Sequence, residues 1–181
     1  MKNLALHILD IAENSIRARA SCVRISITES TLENLYSITI EDNGNGMPPE
    51  LLEKVTDAFT TTRTTRKIGL GLPLLKQHAE MCAGSLNIES EPGKGCRVFA
   101  SFRHNHIDKQ PTGDIPGVLR ILTSGNRNLR IVYTHITDSG KYEFDSEQVR
   151  SELGDEEFYN PLIQKYIKEM IFENLNEIKA S

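Results

Sequence analysis

The sequence predicts an α/β fold, and three patterns predict it. Residues 4–20 repeat apolar side chains every three to four positions, as one face of a helix does. Residues 23–28 and 35–41 alternate apolar and polar side chains, as strands do. The change of period then recurs, with a helical pattern after residue 71 followed by alternating runs at 85–90 and 96–102.

In the first helix Leu4, Ile8, Ile11, Ala12 and Ser15 share the apolar side, while Asp10, Glu13, Asn14 and Arg17 share the other, with His7 near that polar side. Polar residues between the two strands suit a hairpin. The chain then enters DNGNGMPPELLEKV, where Pro48, Pro49 and Glu50 fit a first helical turn, so both Asn-Gly pairs fall in a strand-to-helix loop. Residues 57–67, DAFTTTRTTRK, are nearly free of aliphatic side chains and predict a mobile surface segment. In IGLGLPLLKQHAEMCAG, Gly69 and Gly71 precede a helix with Pro73 in its first turn and Gly84 beyond its end. The strands at 85–90 and 96–102 flank the turn EPGKG.

IDKQPTGDIPG, from residue 107, reads as a linker or tight crossover and divides the chain into an N-terminal domain (1–106) and a C-terminal α/β extension (107–181). In the extension, residues 118–123, 129–137 and 141–144 read as short strands. Asp145 with Gln148 reads as a capping box for a short helix ending at Gly154. Asn160-Pro161 opens an amphipathic helix with Ile163, Ile167, Met170, Ile171, Leu175 and Ile178 on one face.

A chain of 181 residues suits one sizeable core or a domain of about 100 residues with an appendage. Its 25% charged content and net charge of -4 argue against a dedicated nucleic-acid binder, so an anionic ligand must be met by local basic groups. No apolar run approaches the ~18 residues of a membrane span and MKNLALHILD is unlike a signal peptide, which predicts a cytoplasmic protein without membrane attachment. Cys22, Cys82 and Cys96 form no CxxC pair and read as reduced, mostly buried thiols, with no structural metal expected.

Asp10 and Asn14 stand one helical turn apart, with Arg17 three residues on, so all three can address one ligand. An amide oxygen suits magnesium, a carboxylate can deprotonate water and a guanidinium can neutralise phosphate. A solvated helix face is the ordinary alternative. Asp42-Asn43-Gly44-Asn45-Gly46 reads as a plain turn, a calcium loop, or a strand end whose Asp42 accepts from a ligand amine. The calcium reading fails because Gly44, Gly46 and Met47 stand where oxygen ligands and the turn glycine are required. Gly69-Leu70-Gly71 before a helix suits phosphate. Leu74 stands where the dinucleotide GxGxxG pattern needs its third glycine, and no GxxxxGK[ST] loop exists. Arg63, Arg66 and Lys67 can close over phosphates or serve as a solvated basic loop. His104 and His106 form an HxH; with His7 and His78 they read as surface or hydrogen-bonded histidines.

The order and spacing of these segments resemble the GHKL superfamily of kinases and ATPases. HILDIAENSIRARA resembles its N box, DNGNGM its first glycine box, AFTTTR its F box and lid region, GLGLPLL its second glycine box and ESEPGKGCRVFASF its closing strands, over residues 4–103. The resemblance implies a two-layer α/β sandwich of Bergerat type, with a mixed sheet backed by helices and ATP under a lid. It implies Asn14 as magnesium ligand, Asp42 as acceptor of the adenine amine, and Gly44 and Gly46 as the adenine-side loop. Gly69, Leu70 and Gly71 would hold phosphates, Arg17 and Arg63 would contact them, and Phe59 would pack the base of the lid. Asp10 stands where hydrolysing members carry a longer glutamate base, and Cys96 replaces a common threonine.

Three functions follow from that resemblance. One is a stand-alone kinase domain passing the terminal phosphoryl group of ATP to a histidine, serine or threonine of a partner protein, as in signal transduction. The second is an ATP-operated switch with slow hydrolysis, and the third is a nucleotide sensor without turnover. The final helix packs on its own strands or mediates a homodimer or partner contact.

Overall fold

The computed structural model describes residues 1–55 and 71–181. In order come helix α1 (Leu4–Arg17), strands β1 (Cys22–Ser30) and β2 (Leu35–Asp42), the one-turn helix α2 (Pro49–Leu52) and helix α3 (Gly71–Met81). Strands β3 (Leu86–Glu91) and β4 (Gly95–Arg103), helix α4 (Ile115–Gly125) and strands β5 (Arg130–Thr137) and β6 (Gly140–Asp145) follow. Helices α5 (Ser146–Leu153), α6 (Asp155–Phe158) and α7 (Pro161–Glu177) close the chain.

The strands form one mixed six-stranded sheet, ordered β3-β4-β2-β1-β5-β6. β1 runs parallel to β5, while its pairing to β2, and the β2–β4, β3–β4 and β5–β6 pairings, are antiparallel. Register explains the layers. Ile25 lies opposite Ile40 and Tyr133, and Ile40 opposite Val98, so one face carries a continuous apolar band. These four side chains are buried, each contributing about 1.5–3 kcal/mol of hydrophobic stabilisation. One residue out of phase, Glu41 lies opposite Arg24 and Arg97, and Arg97 opposite Glu89. Arg97 ion-pairs with Glu41 and Glu89 across that polar face.

α1 begins where the Asn3 side chain accepts the Leu6 N–H at 3.0 Å and ends at Ala18, after which Arg19 takes a left-handed φ of 61°. Its apolar side, Leu4, Ile8, Ile11 and Ala12, is buried in the common core. The 107–114 segment is tied to this helix: Leu4 and Ala5 donate their N–H groups to the carbonyls of Pro111 and Thr112.

Residues 118–123, expected as a strand, belong to α4. Asp114 caps that helix by accepting the Gly117 N–H at 2.8 Å, and Ile115, Val118, Leu119 and Leu122 bury one helical stripe. The run VLRILT satisfies either period locally; the cap and the apolar positions before it decide for the helix. In α7, Met170 is turned outward, and Gln164 takes a buried place instead. Burial of that amide is compensated by bonds to the Phe158 carbonyl at 2.7 Å and the Thr123 hydroxyl at 3.3 Å. His7, placed by periodicity near the polar side, is buried between α1 and α3, its ring stacked on His78 at 6.5 Å. Of the cysteines, Cys82 is buried while Cys22 and Cys96 are partly exposed, and all three are free thiols.

Candidate functional site

A pocket opens where β2 ends and α1 passes over it, enclosing about 760 Å³ when the space open to solvent is included. Its walls are largely apolar, with Ile11, Ile40, Met47, Leu51, Val55, Leu72 and Val98 making a slot suited to a flat ring. Asn14, Ser15, Arg17, Asp42 and Cys96 supply the polar groups.

Asp42 is the most firmly held of these. Its Oδ1 accepts the Gly44 N–H at 2.8 Å, and its Oδ2 accepts the Ser15 hydroxyl at 2.6 Å. Ser15 was read from sequence only as a member of the apolar stripe of α1. It is buried with that stripe, but its hydroxyl reaches strand β2, a function invisible to helical periodicity. Sequence reasoning also missed Asn43 and Ser90. The Asn43 side chain accepts from the Ser21 and Cys22 N–H groups, both at 2.9 Å. Ser90 accepts the Met47 N–H at 2.9 Å and donates to the Gly95 carbonyl at 2.8 Å. Asn and Ser in a loop flanked by strand ends are the only sequence signal for such latches.

The loop glycines answer to the chain's own packing. Gly46 has a φ of 65°, and a Cβ there would lie 1.9 Å from the Glu91 carbonyl oxygen. The 43–48 loop is thereby pressed against the β3–β4 turn, where Gly93 donates its N–H to the Asn45 carbonyl at 2.7 Å. At the other end, a Cβ on Gly71 would lie 1.8 Å from Asp10 Oδ2, so the start of α3 and the Asp10 carboxylate lie against one another.

Asp10 Oδ2 is buried without a hydrogen-bond partner among the described residues. Burial holds its carboxyl above the usual range and the Glu13 charge adds to this, against the opposing pull of Arg17. Arg17 donates to Asn14 Oδ1 at 2.9 Å and pairs with Glu13 at 3.2 Å. Cys96, opposite Asp42 in the β2–β4 register, has its thiol pushed up to about 11 by burial and by the Asp42 charge. His7 is lowered to about 4, by burial first and then by the positive charges of the N-terminus and His78. Asn14, Arg17, Asp42 and Gly46 thus line one pocket, Gly44 adjoins it through its bond to Asp42, and Asp10 lies one turn before Asn14 against Gly71. Phe59, Arg63, Gly69 and Leu70 lie outside the described residues.

Comparison with known proteins agrees with this geometry. Residues 2–106 match the family described as histidine kinase-, DNA gyrase B- and HSP90-like ATPase. An NtrY-like sensor histidine kinase of Rickettsia conorii is 31% identical over 108 residues, covering 60% of this chain and 18% of that protein. Sporulation kinase C of Bacillus subtilis is 34% identical over 87 residues, covering 48% of this chain and 20% of the kinase. The chain thus spans about a fifth of the length of these curated relatives. Among solved structures, the N-terminal domain of a DNA repair protein shares the fold, with a TM-score of 0.51 at 19% identity over 79% of this chain and 52% of that one. With boxes, sheet and pocket in this arrangement, the chain belongs to the histidine kinase-, DNA gyrase B- and HSP90-like ATPase (GHKL) family.

Proposed function

We propose that this chain binds magnesium-ATP in the pocket between α1 and β2 and passes the terminal phosphoryl group to a histidine, serine or threonine of a partner protein. The observation that carries the binding reading is Asp42, a carboxylate fixed by two donors inside an apolar slot. An acceptor-only group at such a place suits the exocyclic amine of adenine. Kinship with kinases supports the transfer.

The polar residues fit the rest of the ligand. Asn14 offers a hard oxygen, and its present donor, the exposed Arg17, is free to turn to phosphate once that oxygen is needed elsewhere. Bound magnesium would neutralise charge on the phosphates. Asp10, whose Oδ2 beside the first turn of α3 has no partner among the described residues and whose carboxyl is raised by burial, would take a proton from the attacking hydroxyl or water in this reading. Positioning and neutralisation carry most of phosphoryl transfer, so a short carboxylate base suffices.

Thermal unfolding tests the binding step. Magnesium-ADP at ~100 times its dissociation constant stabilises by ~2.7 kcal/mol. The midpoint should rise with ADP, far less with GDP, and not at all for Asn14→Ala at the same concentration; absence of any shift in the wild type would refute the reading. Asp10→Asn should keep the ADP shift while losing turnover of ATP, followed as phosphate transferred to a partner or released. Release without transfer to any partner would replace the kinase by an ATP-operated switch.

A further inference from the structure

Resting on the ATP reading, we infer that Ser15 is the residue that sets base selectivity, by holding the Asp42 carboxylate in the plane and acceptor state that an amino purine requires. Ser15 is 2% exposed and lines the pocket beside Asp42. Its oxygen has two neighbours, Asp42 Oδ2 at 2.6 Å and the Ile11 carbonyl at 3.3 Å. A hydroxyl has one proton, and the short contact to a carboxylate takes it. Asp42 is then anchored at both oxygens, from α1 on one side and from the Gly44 N–H on the other. Two anchors on opposite oxygens fix both rotations of the side chain. Removing one leaves the carboxylate free to turn about the Gly44 contact.

Both donors also define which ligand is accepted. With each oxygen already receiving a proton, the carboxylate presents only lone pairs to the pocket, which favours an amine and opposes a carbonyl at the same place. Ser15 follows Asn14 in α1, so the residue that orders the base-reading carboxylate is joined directly to the proposed metal ligand. Selectivity for the base and hold on the phosphate end are thereby set by one turn of helix.

Comparison of ATP with inosine triphosphate, which carries oxygen in place of the 6-amino group, tests this by calorimetric titration in magnesium. Wild type should bind ATP at least about tenfold more tightly, since a hydrogen bond to a charged group is of that order. In Ser15→Ala the ATP constant should weaken about tenfold while the inosine constant stays within about twofold; Ser15→Thr, which restores the hydroxyl, should recover most of the ratio. An unchanged ratio in Ser15→Ala, an equal loss for both nucleotides, or a wild type that does not discriminate would overturn the role of Ser15 and leave ATP binding standing. A wild type that binds neither nucleotide would overturn the ATP reading and this inference together. Circular dichroism of Ser15→Thr, where the added methyl enters a packed site, shows whether that variant is folded. If it is not, Ser15→Ala alone decides.

Discussion

Gly46 and Gly93 both hold left-handed backbone, yet only one has a neighbour in the way of a side chain. A Cβ on Gly46 would strike the Glu91 carbonyl, whereas one on Gly93 meets nothing within 4 Å. Backbone strain alone costs about 1 kcal/mol at such positions. Gly93→Ala should therefore lose about 1 kcal/mol in denaturant unfolding, and Gly46→Ala about 3 kcal/mol or more, because the loop must also leave the β3–β4 turn. Equal losses at the two sites would refute packing as the reason for Gly46. Taken alone, Asp10 and Asn14 look like an ordinary solvated helix face; with Asp42, they were singled out by the order and spacing of the segments that resemble the GHKL boxes. Ser15 was not, since a small residue on an apolar stripe looks like filler until the strand beneath it is known. His7 was misplaced for a related reason: an imidazole is polar by composition, but here the packing of α1 on α3 buries it.

Elements with period-2 alternation were read at nearly their observed bounds, β1, β2, β3 and β4 among them, because a half-buried sheet imposes that alternation directly. α4 was not, since its short apolar run satisfies both periods and its cap lies in a segment that resembled a linker. α7 was read as a helix with most of its inward face in place, Ile167, Ile171, Leu175 and Ile178 being buried, but Met170 is exposed and Gln164 is buried in addition. Its true buried line includes Ile167, Ile171 and Leu175, so Ile171→Ala should cost about 2–4 kcal/mol in unfolding, while Phe172→Ala, on the exposed side, should change stability by less than about 0.5 kcal/mol. A reversed order would mean that α7 packs on α4 by its other face.

At the scale of the whole molecule, the family match stops at residue 106 but the sheet and its apolar core do not. β5 is paired with β1 from Cys22 to Thr28, and a buried polar cluster lies beside the same seam. His135 on β5 donates from Nε2 to Glu29 Oε1 on β1 at 2.8 Å, the Tyr133 hydroxyl lies 2.6 Å from His135 Nδ1, and the Ser181 N–H also donates to Glu29 at 2.8 Å. Burial opposes ionisation of Glu29, but the bonds from His135 and Ser181 outweigh it and hold the carboxyl at about 2, against 4.5 when free. A depressed carboxylate stabilises the folded state fully above its unfolded pKa and loses that contribution as pH falls toward the folded one. Stability should accordingly drop by about 2–3 kcal/mol between pH 5 and pH 2 through this group. Glu29→Gln should be less stable at pH 6 and lack that part of the acid dependence in denaturant titrations.

The parallel pairing of β1 with β5 also carries a consequence in time. Cys22 finds its partner at Arg130 and Thr28 at Ile136, so one side of a central strand is completed by residues about a hundred positions downstream. Loops of that length close slowly, and contacts of that separation slow folding. During synthesis the α1 and β2 walls of the pocket emerge early, yet β1 keeps an open backbone edge until β5 has left the ribosome. The newborn chain therefore spends that interval with the α1 and β2 walls made and its sheet unsealed, exposed to pairing with the wrong strand.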